Sequence, residues 1–288
     1  MNLLRDAEGR IRSPYVVGVF VLIAVASQGV LSLVLGLAGL LSFEDLDSPR
    51  VFFSTFPTLV SGVGATLVCW FAFREPTGLD APKPQRLFGA GFLIGAAALS
   101  VCCVVPALAG ATTLSWTTQS ASVVATAGLV QLLRLSPAGF GEELLLRGLG
   151  FNALRRGMGD VAAVAVSSVI FGALHLFNPG ATWIAALGVA LVGAWFGALT
   201  VRSGSLWLAM GLHVAWNFFE GFVFGQPVSG NAPGTSLLIG GNAAAPTLWS
   251  GGAFGPEAAG WTAVVLMLGL GLTLTLDLRS TQTRRPSR

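Results

Sequence analysis

The chain has 288 residues, 53% hydrophobic and only 10% charged, with a formal net charge of +3; a soluble domain carries about 25% charged residues. Several apolar runs exceed the ~18 residues that mark a transmembrane helix, so composition excludes a soluble enzyme and points to an all-α polytopic membrane protein. Nucleic acid is not implied as a partner, because the arginines lie scattered in short connecting segments, where they read as topology signals.

The polar stretch Met1 to Ser13 precedes an apolar run too long for a cleaved signal peptide, so the first run reads as a retained helix over Pro14–Phe43. An acidic loop follows (Glu44, Asp45, Asp47, with Arg50), then a second helix over Val51–Phe73. A breaker-rich loop holding Arg74, Pro76, Pro82, Lys83 and Arg86 leads into a third helix over Leu87–Ala109. The segment Ala111 to Ser120 is uncharged. The apolar piece from Ser122 to Leu135 is interrupted by Ser136-Pro137, which suits the opening turn of a new helix from Ala138 to Arg156. Three more helices are expected over Asp160–Phe177, Ala181–Val201 and Ser205–Phe224. A Gly/Asn/Pro/Ser-rich loop then runs to about Gly255, and a last helix ends at Leu276 before a basic tail.

Counted this way the chain makes about eight spans around a polar intramembrane cavity. Its units are a cytoplasmic N-terminus (1–13), N-terminal transmembrane helices (14–120), a catalytic helical core (121–224), an outer flexible loop (225–258), and a last helix with its basic tail (259–288). With the N-terminus inside, Arg5, Arg10, Arg12, Arg74, Lys83, Arg86, Arg155, Arg156, Arg202, Arg279, Arg284, Arg285 and Arg288 face the cytoplasm, and Arg50 falls outside. That positive-inside asymmetry places both termini in the cytoplasm. The three cysteines, Cys69, Cys102 and Cys103, lie in apolar runs, form no CxxC pair and read as packing residues.

Charge at membrane depth is costly, so ionisable residues there are functional signals. Glu143 and Arg147 are i, i+4 neighbours able to pair, whereas Glu142 is rotated about 100° away and left free for chemistry. Phe171 and His175 share a face of the Asp160–Phe177 helix, as do His213 and Asn217 two helices later. Glu220, at i+7 from His213, reads as an interfacial charge. At about 1.5 Å per residue, Glu142 stands about 20 Å above Arg155, His175 about 22 Å above Asp160 and His213 about 16 Å above Arg202. One shared polar cavity accounts for the similar depth.

Glu-Glu-x-x-x-Arg, Phe-x-x-x-His and His-x-x-x-Asn on successive helices resemble the CAAX-protease and bacteriocin-processing (CPBP, or Abi) family of intramembrane endopeptidases, over about Ala138 to Phe219. The Gly-Gly-Ala-Phe-Gly-Pro-Glu run ending at Glu257 is similar to a tail segment of bacterial members. The resemblance implies that Glu142, His175, His213 and Asn217 are the family's essential glutamate, two histidines and asparagine, with Glu143, Arg147 and Phe171 in support. It implies a hydrolase of peptide bonds in the plasma (inner) membrane of a prokaryote, acting on a membrane-associated protein or peptide.

In such an enzyme Glu142 serves as general base to a water also held by His175, and His213 with Asn217 donates to the oxyanion. No cofactor is then required. Zinc on His175, His213 and Glu142 is the alternative, although His-x-x-x-Asn is unlike His-Glu-x-x-His and an amide oxygen is a poor third ligand. A serine mechanism is disfavoured, because Ser167 and Ser168 sit in no Gly-x-Ser-x-Gly elbow. The rival readings are a non-proteolytic immunity or scaffold protein of the same fold and, more distantly, a transporter with a proton-carrying glutamate. The intact acid-base set favours the enzyme. Which membrane face admits the substrate stays open.

Overall fold

The computed structural model describes residues 4–6, 8–40, 52–242, 247–276 and 278. The expected acidic loop at Glu44, Asp45, Asp47 and Arg50, and the basic tail at Arg279, Arg284, Arg285 and Arg288, lie outside the described residues. Three helices open the chain: α1 (Ser13–Leu37), α2 (Phe52–Phe73) and α3 (Pro84–Leu108). Proline stands in the first turn of α1 and α3, where its missing N–H costs nothing. Strand β1 (Thr112–Trp116) follows. Next come α4 (Ala121–Arg147), capped by the Ser120 hydroxyl, and α5 (Leu149–Met158).

The helix expected to start after Pro137 does not. α4 runs unbroken through that residue, and the chain bends instead at Gly148, where φ is −80° and ψ is −140°. Inside a membrane bundle, neighbouring helices restore what a proline removes, and α2 and α3 likewise carry Pro57 and Pro106 in their interiors. Glycine is what permits the bend, since a Cβ there would lie 2.3 Å from the Leu144 carbonyl oxygen.

Helix α6 (Asp160–Leu174) runs into a 3-10 turn, His175–Phe177. α7 (Trp183–Ser203) starts on a Thr182 cap and stops at Gly204, whose φ of 67° is left-handed. α8 (Trp207–Phe218) continues as a π-helical turn, Phe219–Val223. The segment expected as a flexible loop carries structure of its own: β2 (Leu238–Asn242), a short α9 (Thr247–Ser250) and a 3-10 turn, Pro256–Ala258. β2 pairs antiparallel with β1, Leu114 opposite Gly240. Helix α10 (Gly260–Thr275) closes the described chain.

Among the described residues six helical segments are long and apolar enough to cross a membrane: Ser13–Leu37, Thr55–Phe73, Pro84–Leu108, Ala121–Met158, Asp160–Phe177 and Trp183–Ser203. Their outer faces are apolar and exposed, with Leu22, Phe71, Leu93 and Leu187 among the most open. A soluble protein would bury such faces; lipid covers them here, and the chain is integral to a membrane.

The core lies between α3, α6, α7, α8 and α10, around Leu99, Phe196, Trp216 and Leu266. Backbones, not side chains, set the closest packing. A Cβ on Gly91 of α3 would lie 2.0 Å from the Leu208 oxygen, and one on Gly211 of α8 would lie 2.0 Å from the Phe88 oxygen. Small residues of this kind let membrane helices approach. On one side of the bundle a polar layer gathers the N-terminal segment, the α2–α3 loop and α5: Arg156 pairs with Asp6 at 3.2 Å and also with Glu75, and Arg155 pairs with Asp160 at 2.8 Å.

Candidate active site

The last turns of α4 carry three charges in a row of helical neighbours. Glu143 and Arg147 are wholly buried, and Arg147 Nη1 donates to Glu143 Oε1 at 3.0 Å. The guanidinium lies over aromatic rings, 4.5 Å from the centroid of Phe171 and 5.7 Å from that of Phe196. Room for it exists because residue 193 of α7 is glycine; a Cβ there would stand 2.8 Å from Arg147 Nη2. A buried cation is tolerated when it is paired and held by such contacts. The Ser167 hydroxyl donates to the Leu146 carbonyl at 2.9 Å and ties α6 to the same turn.

The same Glu143 oxygen also lies 3.0 Å from His213 Nδ1. One carboxylate thus fixes both an arginine on its own helix and a histidine on α8. The other histidine nitrogen, Nε2, faces Glu142 Oε2 at 3.8 Å. That separation exceeds a hydrogen bond and leaves both atoms available to a shared third group. The two adjacent glutamates therefore differ in environment: the Glu142 side chain is 29% exposed and that of Glu143 is 0% exposed. Close approach of α2 behind this turn is allowed by Gly141, where a Cβ would lie 2.6 Å from the Leu59 nitrogen.

His175 stands just beyond the end of α6, at the first position of the 3-10 turn, and is half-buried. Its Nδ1 lies 2.8 Å from the Phe171 carbonyl oxygen one turn earlier, which leaves Nε2 for other partners. Phe171 sits between the two histidines, edge-on to both, with ring centroids 4.6 Å from His175 and 6.1 Å from His213. Asn217 lies one turn after His213 on α8 and is buried.

Ser167 and Ser168 are buried and spend their hydroxyls on the carbonyls of Leu146 and Val164. Cys69, Cys102 and Cys103 are buried free thiols. Among the described residues no three His, Cys, Asp or Glu side chains gather closely enough to hold a metal ion. The charge expected at the membrane interface, Glu220, is instead fully buried in the π-helical turn, and neither carboxyl oxygen has a hydrogen-bond partner. Beside it comes Glu257, brought in by the 3-10 turn before α10 and 5% exposed. Glu257 lies within electrostatic reach of Glu142, His175 and His213. The sequence signal for that residue was the Gly-Gly-Ala-Phe-Gly-Pro-Glu run that ends on it.

Residues 125–219 match the family model of Rce1-like type II CAAX prenyl endopeptidases. This segment, about a third of the chain, is similar to the CAAX-protease (CPBP) family. The match takes in Glu142, Glu143, Arg147, Phe171, His175, His213 and Asn217 and ends one residue before Glu220. Glu257 and the whole segment from 225 onward lie outside the matched CAAX-protease region. No curated protein matches the chain. The CAAX-protease family is one of peptide-bond hydrolases, which gives the chemistry its coarse class.

Proposed function

We propose that the protein is an intramembrane endopeptidase that hydrolyses a peptide bond of a membrane-associated protein or peptide. The observation that carries this is the split between the two glutamates. Glu143 is buried and committed to Arg147 and His213, while Glu142 is partly open and faces His213 Nε2 at 3.8 Å.

Glu142 takes a proton from a water oriented with the help of His175, and the water oxygen bonds to the carbonyl carbon. The negative oxygen that results accepts hydrogen bonds from the His213 ring and the Asn217 amide. Since Glu143 occupies Nδ1, His213 donates from Nε2 as the imidazolium. Collapse of the intermediate breaks the C–N bond, and Glu142 returns its proton to the leaving nitrogen. A carboxylic acid and an amine are released, and the enzyme is restored. No step of this route needs a metal.

The same reading takes α8 with its π turn, and α10, as two further spans beside the six long ones, eight in all around a polar cavity. Both termini lie on the cytoplasmic side of a prokaryotic plasma membrane. Support comes from the polar layer at Asp6, Glu75 and Arg156, which puts the N-terminus, the α2–α3 loop and α5 on one face, and from the arginine asymmetry of the loops.

The test is cleavage of a quenched peptide panel by the purified, detergent-solubilised chain, beside Glu142→Gln, with and without a chelator. The expected result is cleavage that survives chelation and disappears in Glu142→Gln. Undiminished cleavage by Glu142→Gln would remove Glu142 from the reaction; loss in chelator restored by zinc would replace the metal-free route.

A further inference from the structure

His175 is the site residue with the least support from its own helix. It follows the last residue of α6, and the chain leaves the helical path at Asn178, where ψ is 155°. Its position therefore depends on what holds the turn 175–180. Within that turn the Asn178 N–H donates to the His175 carbonyl at 3.1 Å. The Asn178 side-chain amide in turn donates to the carbonyl of Ser229, 2.9 Å away and 51 residues later. The segment around Ser229 lies directly on the turn: a Cβ on Gly230 would stand 1.9 Å from the Pro179 oxygen.

Ser229 is an unusual residue for its backbone. Its φ of 46° is left-handed, and apart from Arg74 it is the only non-glycine among the described residues with positive φ. Glycine or asparagine would sit there at lower cost. The side chain explains the choice, because the Ser229 hydroxyl donates to Glu257 Oε2 at 2.5 Å, with both residues buried. Glu257 is itself fixed by α7 and by a bond that ties its segment to that of Ser229. A Cβ on Gly188 of α7 would lie 2.1 Å from the Glu257 carbonyl oxygen, and the Gly230 N–H donates to the Phe254 carbonyl at 2.7 Å. A continuous path thus runs from α7 through Glu257, Ser229 and Asn178 to His175.

We propose that Ser229 and Glu257 are positioning residues for His175, acting through Asn178, and that residues 226–231 and 251–257 form a strap built over the site. The strap lies outside the matched family segment. The inference rests on reading His175 as a residue of the hydrolytic site. Glu257 faces Glu220 from the π turn, and His175, His213 and Glu142 from the site itself. The strap therefore meets the site with a carboxyl group as well as with backbone.

The chain's two histidines make the test direct. Histidine-selective labelling of the full chain in detergent gives one imidazole signal from His175 and one from His213, and His213 is locked by Glu143, apart from the strap. Ser229→Ala and Ser229→Gly, the second of which suits the backbone but lacks the hydroxyl, should shift or broaden the His175 signal and leave that of His213 in place. Glu257→Ala, which also removes a carboxyl within electrostatic reach of both histidines, should move His175 further than His213, and Glu257→Gln, whose amide oxygen still accepts the hydroxyl, should return His175 close to its wild-type position. An unmoved His175 signal in both Ser229 variants would overturn the proposal. So would equal movement of both histidines in every variant, or a Glu257→Gln shift as large as that of Glu257→Ala. These signals need no substrate, so their outcome is separate from that of the proteolytic reading, which Glu142→Gln decides. With a cleaved peptide, Ser229→Ala should lower kcat about tenfold or more; an unchanged kcat beside an inactive Glu142→Gln would also overturn it.

Discussion

Glu142 and Glu143 are neighbours in sequence with opposite liabilities. Removing Glu143 leaves Arg147 buried under two aromatic rings without its carboxylate, and an orphaned buried charge costs about 3–5 kcal/mol. Glu143→Ala should therefore lower the thermal unfolding midpoint of the detergent-solubilised protein strongly, whereas Glu142→Gln, at a partly open position, should leave it near wild type while abolishing cleavage. Equal midpoints for the two variants would contradict the division of roles. The Glu143–Arg147 pair was legible from i, i+4 spacing alone. The second bond of Glu143, to His213 seventy residues on, was not, because it depends on α8 packing across α4. Glu220 was misread for a related reason. Its position at a span's end suggests the interface, yet the π-helical turn rotates it into the protein.

Among elements, the α3–α8 contact governs where His213 stands. Gly211 precedes His213 by two residues, and its backbone touches that of Phe88 so closely that a methyl group cannot enter without moving a helix. Gly211→Ala should cost about 1–3 kcal/mol through overpacking and displace His213, reducing cleavage together with stability. Gly64→Ala in α2, where a Cβ meets nothing within 4 Å, should change neither; thermal unfolding and peptide hydrolysis of the pair check this. Hydrophobicity located most helices to within a few residues, since their lengths follow from apolar runs. It misplaced the break between α4 and α5, because Pro137 is a strong local signal that the bundle overrides, while the bend falls at Gly148, where only glycine fits. The pairing of β1 with β2 was hidden as well. β1 (Thr112–Trp116) and β2 (Leu238–Asn242) are separated in sequence by residues 117–237 and meet only in space, and an uncharged segment and a glycine-rich one both read as loop.

At the scale of the whole molecule, helix lengths are uneven around the site. The 27 residues of α4 extend about 40 Å at 1.5 Å per residue, more than the roughly 30 Å of a hydrocarbon core. The 12 residues of α8 and the 16 of α10 reach only about 18 and 24 Å. α8 is enclosed by its neighbours, but α10 exposes Leu268 and Leu272, so a bilayer meeting this perimeter dimples beside α10 while α4 leans or protrudes. With Glu142 as the proposed base, lipid depth becomes part of the catalytic geometry, because a dimple would bring water, and the peptide bond of a membrane-borne chain, nearer to it. Reconstituted into vesicles of graded acyl length, the protein should cleave fastest in thin bilayers and slow as the chains lengthen; a rate indifferent to thickness would show that the dimple has no bearing on access.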